Sequence, residues 1–102
     1  MKGSIIPYQT LAFLDLRRGD FEDMSRNGHT PGLDCIISFL IEVERRAFEE
    51  VPNRAENIAR VCNKWTSIGI GAARGVATEI NWGSPCIMGQ LFRDFRDALD
   101  VE

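Results

Sequence analysis

Between Thr30 and Glu50 the apolar residues Leu33, Ile36, Ile37, Leu40, Ile41, Ala47 and Phe48 recur at the i, i+3, i+4, i+7 spacing of one helical face. Glu42, Glu44, Arg45, Arg46, Glu49 and Glu50 fill much of the opposite side. Thr30-Pro31 reads as a start, a hydroxyl for the free N–H groups followed by a ring whose fixed φ suits a first turn. Pro52 reads as the stop, because it pushes Val51 out of the helical region. A helix of about 20 residues is about 30 Å long, the diameter of a small domain. This stretch therefore predicts a long central helix around which the remaining segments pack.

Those segments are also helical in pattern. Pro7 to Leu14 predicts a short first helix, ended by Arg17, Arg18 and Gly19. Asp20 to Met24 predicts one further turn capped by Asp20, and Asn27-Gly28-His29 a turn. Asn53-Arg54-Ala55-Glu56 has the form of a capping box. A stripe from Ala55 through Ile58, Cys62 and Trp65 to Val76 and Ile80 follows it, predicting a continuous or kinked helix. Gly69, Gly71 and Gly75 interrupt that stripe; the small residues beside them favour close helix packing over a break. Ser84-Pro85 repeats the hydroxyl-then-proline device before Ile87, Met88, Leu91, Phe92, Phe95, Ala98 and Leu99. No period-2 run of any length appears. The expected fold is all-α, a compact bundle of four or five helices forming a single domain over residues 1–102.

At 102 residues the chain can bury a core without metal or disulfide staples. Cys35, Cys62 and Cys86 are odd in number and widely spaced, which argues against a disulfide framework; all three are expected as buried reduced thiols. No apolar run reaches membrane-spanning length, and no signal-peptide pattern opens the chain, so a cytoplasmic protein without a membrane partner is expected. A net charge of −3 argues against a general nucleic-acid binder.

Chemistry-bearing groupings are sparse. His29 is the only histidine and lies in a turn, away from the cysteines that read as core. Asp20, Glu22 and Asp23 cluster beside Arg17, Arg18 and Arg26, and Glu42 and Glu49 beside Arg45 and Arg46; solvated faces with local ion pairs explain both. Gly69-x-Gly71-x-x-x-Gly75 lacks the spacing and the preceding strand of a dinucleotide loop. No catalytic residue, metal site or cofactor is therefore expected. Arg54, Arg60, Lys64 and Arg74 make a modest basic stripe, diluted by Glu56 and Glu79. Trp65 reads as core, while Trp82, in a turn beside Gly83, is expected as a partly exposed anchor.

In size, acidic charge and lack of a catalytic constellation the whole chain resembles the small phage-encoded inhibitors of bacterial machinery, the anti-CRISPR proteins above all. The resemblance is one of general character and uses no motif. It implies a non-enzymatic protein that binds a CRISPR–Cas effector ribonucleoprotein and blocks target DNA by steric or electrostatic occlusion, without itself gripping nucleic acid. The contact is then expected on Asp20, Glu22, Asp23, Glu49 and Glu50, with Trp82 as anchor. Two other readings stay open: a helical DNA-binding regulator or antitoxin using the Arg54–Arg74 stripe, and a self-associating module, monomer or homodimer, using the glycine-rich face or Trp82.

Overall fold

The computed structural model describes residues 8–75 and 80–100. Four α-helices account for most of them: α1 (Tyr8–Arg26), α2 (Leu33–Glu50), α3 (Ala55–Ala73) and α4 (Pro85–Ala98), with a 3-10 turn at Pro52–Arg54. No strand occurs among the described residues. The all-helical class and the compact bundle follow the sequence pattern. The hub does not. At 18 residues α2 is no longer than α1 and α3 at 19 each. The helices instead pack mainly as a ring, α1 on α2, α2 on α3, α3 on α4 and α4 back on α1.

Helix α1 runs unbroken through Gly19, where the sequence predicts two separate elements. Leu14 and Phe21, seven positions apart and each 2% exposed, share one helical face only if the chain stays helical between them. The i,i+3 and i,i+4 pairs Arg17–Asp20 and Arg18–Glu22 bridge the glycine. Together these outweigh the ~1 kcal/mol propensity cost of Gly19. Asp20 thus lies inside a helix and caps nothing.

The caps differ as well. Helix α2 starts at Leu33 with Gly32 as its N-cap and no side-chain cap bond, so Thr30-Pro31 stands just outside it. Its end is where Pro52 requires: Val51 turns to φ −135° and its N–H still reaches the Ala47 carbonyl at 2.8 Å. Asn53 lies in the 3-10 turn and makes no cap for α3. At Ser84-Pro85 the helix does begin on the proline, again without a bond from the hydroxyl.

Helix α3 is continuous through Gly69 and Gly71 and stops at Ala73. Gly75, at φ +75°, closes it with an N–H bond to the Ala72 carbonyl at 3.1 Å. The expected continuation through Val76 falls outside the described residues, and Ile80 lies beyond the helix. Gly69 earns its place by contact: a Cβ there would sit 2.6 Å from Leu33 Cδ1 and 3.2 Å from Trp82 Cζ2.

Phenylalanines tie the ring together. Phe39 of α2 meets Phe21 of α1 edge-on at 5.4 Å and Phe92 and Phe95 of α4 at 5.5 and 5.9 Å. On the α3 side Cys62 donates to the Leu40 carbonyl at 3.3 Å, and burial, reinforced by the charge of Glu44, pushes its thiol up to about 12. Cys35 and Cys86, expected in the core, are exposed instead.

Candidate partner-binding surface

Each carboxylate singled out from the sequence has an identifiable partner. Asp20 pairs with Arg17, Glu22 with Arg18 at 3.3 Å, and Asp23 with Arg26, all within α1. Glu49 pairs with Arg45 at 2.9 Å on α2. Glu50 behaves differently: its Oε1 accepts a hydrogen bond from the buried Thr10 hydroxyl at 2.9 Å, joining α2 to α1. It serves the fold and is removed from the set of outward contacts.

The structure also separates the two acidic groups. Thr10 stands against Glu50, so α1 and α2 are antiparallel, and Glu22 lies twelve residues further along α1. That is about 18 Å of helix. Asp20, Glu22 and Asp23 occupy one end of the α1–α2 pair and Glu49 the other.

Trp82 overturns its expectation. It is 5% exposed, with its ring 6.2 Å from that of Trp65 and over Gly69. The segment around it is pinned by the Ser25 hydroxyl, which donates to the Gly83 carbonyl at 2.9 Å, and by the Gly83 N–H, which donates to Asn81 Oδ1 at 3.0 Å. It is a core residue and no anchor.

Large apolar side chains do reach the surface, but elsewhere: Leu16 on α1 and Ile41 and Phe48 on α2 are 57%, 64% and 61% exposed. The signal for the α2 pair was present in the sequence. At about 100° per residue, the apolar set from Ile36 round to Ile41 covers an arc of about 140°, wider than contacts with α1 and α3 can cover. On α1, Leu16 is followed at i+3, i+4 and i+7 by Gly19, Asp20 and Asp23, so an exposed apolar side chain shares one face with two of the predicted carboxylates. Asp15, beside Leu16, reaches across to Arg96 of α4 at 3.0 Å.

The basic stripe is largely engaged within the fold. Arg54 is 9% exposed and pairs with Asp100 at 3.5 Å; Arg60 bonds Asn57 at 2.7 Å and pairs with Glu56. Lys64 contacts Asp94 at 2.8 Å. Asp94 also accepts from the Trp65 indole N–H at 2.9 Å and from Gln90 at 3.0 Å. Burial works against its ionisation, yet these hydrogen bonds and the Lys64 charge hold its carboxyl below the usual range. On α2 the hydrogen bond from Arg45, with the charges of Arg45 and Arg46, lowers Glu42 despite some opposing desolvation.

An open cleft of about 660 Å³ lies where the start of α2 meets the end of α3, lined by residues such as Thr30, Leu33, Gly69 and Trp82. Its lining among the described residues has no titratable side chain. No group of three or more His, Cys, Asp or Glu is placed to hold a metal ion among the described residues, and His29 is exposed. No helix among them is long and apolar enough to cross a membrane. No protein-family model, curated protein or solved structure matches this chain.

Proposed function

We propose that this chain is a non-enzymatic inhibitor that covers a surface of a larger machine, with a CRISPR–Cas effector ribonucleoprotein as the target and exclusion of target DNA as the effect. The observation that carries the reading is the outer face of α1, where exposed Leu16 shares a helical surface with Asp20 and Asp23. An apolar anchor beside charged groups is the pattern of a protein contact, whose charges set orientation and encounter rate more than affinity.

The arginines that clamp those carboxylates alter the mechanism expected from composition. Asp20, Glu22 and Asp23 each already face a cation. A lysine or arginine of the target must share them, so the surface acts as a patterned block more than as a mimic of a phosphate row. Occlusion is steric first. The DNA-regulator reading is weaker on the same kind of observation, since Arg54, Arg60 and Lys64 are engaged in ion pairs with the chain's own carboxylates.

The test is target-DNA binding by purified effector complexes, with and without the chain. The expected result is loss of the effector–DNA complex with the natural chain and its recovery with Leu16→Glu combined with Asp20→Arg and Asp23→Arg. Unchanged DNA binding by representatives of each effector class would end this reading. A shift of duplex DNA by the chain alone, steeply weakened by salt, would transfer the proposal to the regulator.

A further inference from the structure

Ile41 and Phe48 lie two turns apart on α2 and therefore on one line along the helix, which half-buried Ile37 extends toward its start before exposed Asp34 ends it. Glu44 and Arg45 flank this line. Successive residues are about 100° apart around the helix, so the two charges stand at nearly equal height, one on each margin of the apolar strip. Glu44 is on the α3 side, where its charge is felt at Cys62. Arg45 is on the opposite margin and pairs with Glu42 at 2.6 Å and Glu49 at 2.9 Å. Among the described residues Glu44 forms no ion pair. Glu42 and Glu49 stand further round the helix than Arg45, so the charges next to the apolar strip are Glu44 on one margin and Arg45 on the other, an arrangement complementary to a copy of itself.

We propose that this face of α2 is the seam of a twofold homodimer in which the two α2 helices run parallel. A twofold axis along the helices stacks Ile41 on Ile41 and Phe48 on Phe48 of the second copy. The same rotation exchanges the margins, so Glu44 of each chain falls opposite Arg45 of the other, twice in the interface. An antiparallel twofold keeps each margin on its own side and sets Glu44 against Glu44 and Arg45 against Arg45. The Glu44 and Arg45 pattern thus argues for a second copy of this chain as the occupant and for the parallel direction. The inference concerns α2 and does not depend on what the α1 face meets.

Sedimentation of the full chain over a concentration series reads the association directly, with mass rising from 11.5 kDa toward twice that value. Ile41→Asp is expected to hold the chain monomeric, with helical circular dichroism unchanged. Glu44→Arg or Arg45→Glu alone places like charges across both margins and should weaken dimerisation roughly tenfold. The double variant exchanges the two signs and should restore it, a rescue that no general loss of stability would produce. Direction is read by cross-linking with a short bis-maleimide in a Cys35→Ser, Cys86→Ser background. Phe48→Cys should link to itself; preferential linking of Phe48→Cys to Ile41→Cys in a mixture would overturn the parallel arrangement. A natural chain monomeric throughout the series, or a dimer that Ile41→Asp leaves intact, would overturn the seam itself. Effector binding enters none of these readouts.

Discussion

Gly69 and Gly71, two positions apart in the same helix, should respond unequally to alanine. Both lie inside α3, where replacing glycine by alanine favours the helix by about 1 kcal/mol through backbone entropy. At Gly71 nothing among the described residues lies within 4 Å of the added methyl, so that gain should appear nearly whole. At Gly69 the methyl would lie 2.6 Å from Leu33 Cδ1, which a change of rotamer can relieve, and 3.2 Å from Trp82 Cζ2, which it cannot. The indole is wedged against Trp65 and held by a loop fixed to Ser25 and Asn81, so a few tenths of an ångström must come from the packing itself. Overpacking of this kind costs about 1–3 kcal/mol. Subtracting the helix gain leaves Gly69→Ala between neutral and about 2 kcal/mol destabilising, and about 1–3 kcal/mol less stable than Gly71→Ala. Urea unfolding followed by circular dichroism measures both, and tryptophan fluorescence reports any displacement of Trp82. If Gly69→Ala stabilises as much as Gly71→Ala, the close crossing of Leu33, Gly69 and Trp82 is refuted.

Asp94→Ala removes the acceptor of the Trp65 indole N–H and should cost about 1–3 kcal/mol in the same unfolding assay. Because the folded-state pKa of Asp94 is lowered, its contribution is complete above the unfolded carboxyl value near ~3.9 and is lost as pH falls through the folded value. The difference between Asp94→Ala and the natural chain should therefore shrink under acid; a constant difference would contradict it. A thiol-titrating reagent should count two reactive cysteines in the native chain, Cys35 and Cys86, and the third only in denaturant, since Cys62 is buried and its thiol lies at about 12. Thr10→Val leaves Glu50 Oε1 without its donor at a site where Oε2 already has no hydrogen-bond partner among the described residues, and should cost about 1–3 kcal/mol in thermal or urea unfolding.

What could be read from the sequence was mostly local. Pro85 opens α4 and Pro52 closes α2 because proline acts on its own backbone and on the residue before it. Where a local signal competed with a longer one, the longer one won. Gly19 followed by Asp20 has the form of a stop and a new cap, but Leu14 and Phe21 on one face hold α1 continuous. The ion pairs of Asp20, Glu22 and Asp23 were legible from arginines three or four positions away. The engagement of Glu50 by Thr10, forty positions distant, was not. Trp82 misled for the same reason: its burial depends on the space left by Gly69 and on Ser25, fifty-eight residues before Gly83. Ile41 and Phe48 belong to the apolar set of α2 yet are exposed, because that set spans an arc of about 140° and only part of it faces α1 and α3.

The ring of helices has a kinetic consequence. Three of its four seams join elements adjacent in the chain and can form as successive antiparallel hairpins at small loop cost. Only the seam of α1 with α4 spans nearly the whole chain, through Asp15 with Arg96 and Phe21 with Phe92. Helical bundles whose close contacts are mostly local in sequence fold in microseconds to milliseconds. The docking of α4 on α1 and on Phe39 of α2 is the step that must bring distant segments together, and the seam of α1 with α4 is expected to open early in the native bundle. Amide exchange should find that gate first, in the outer turns of α1, while α2 and α3 stay protected until the whole chain unfolds.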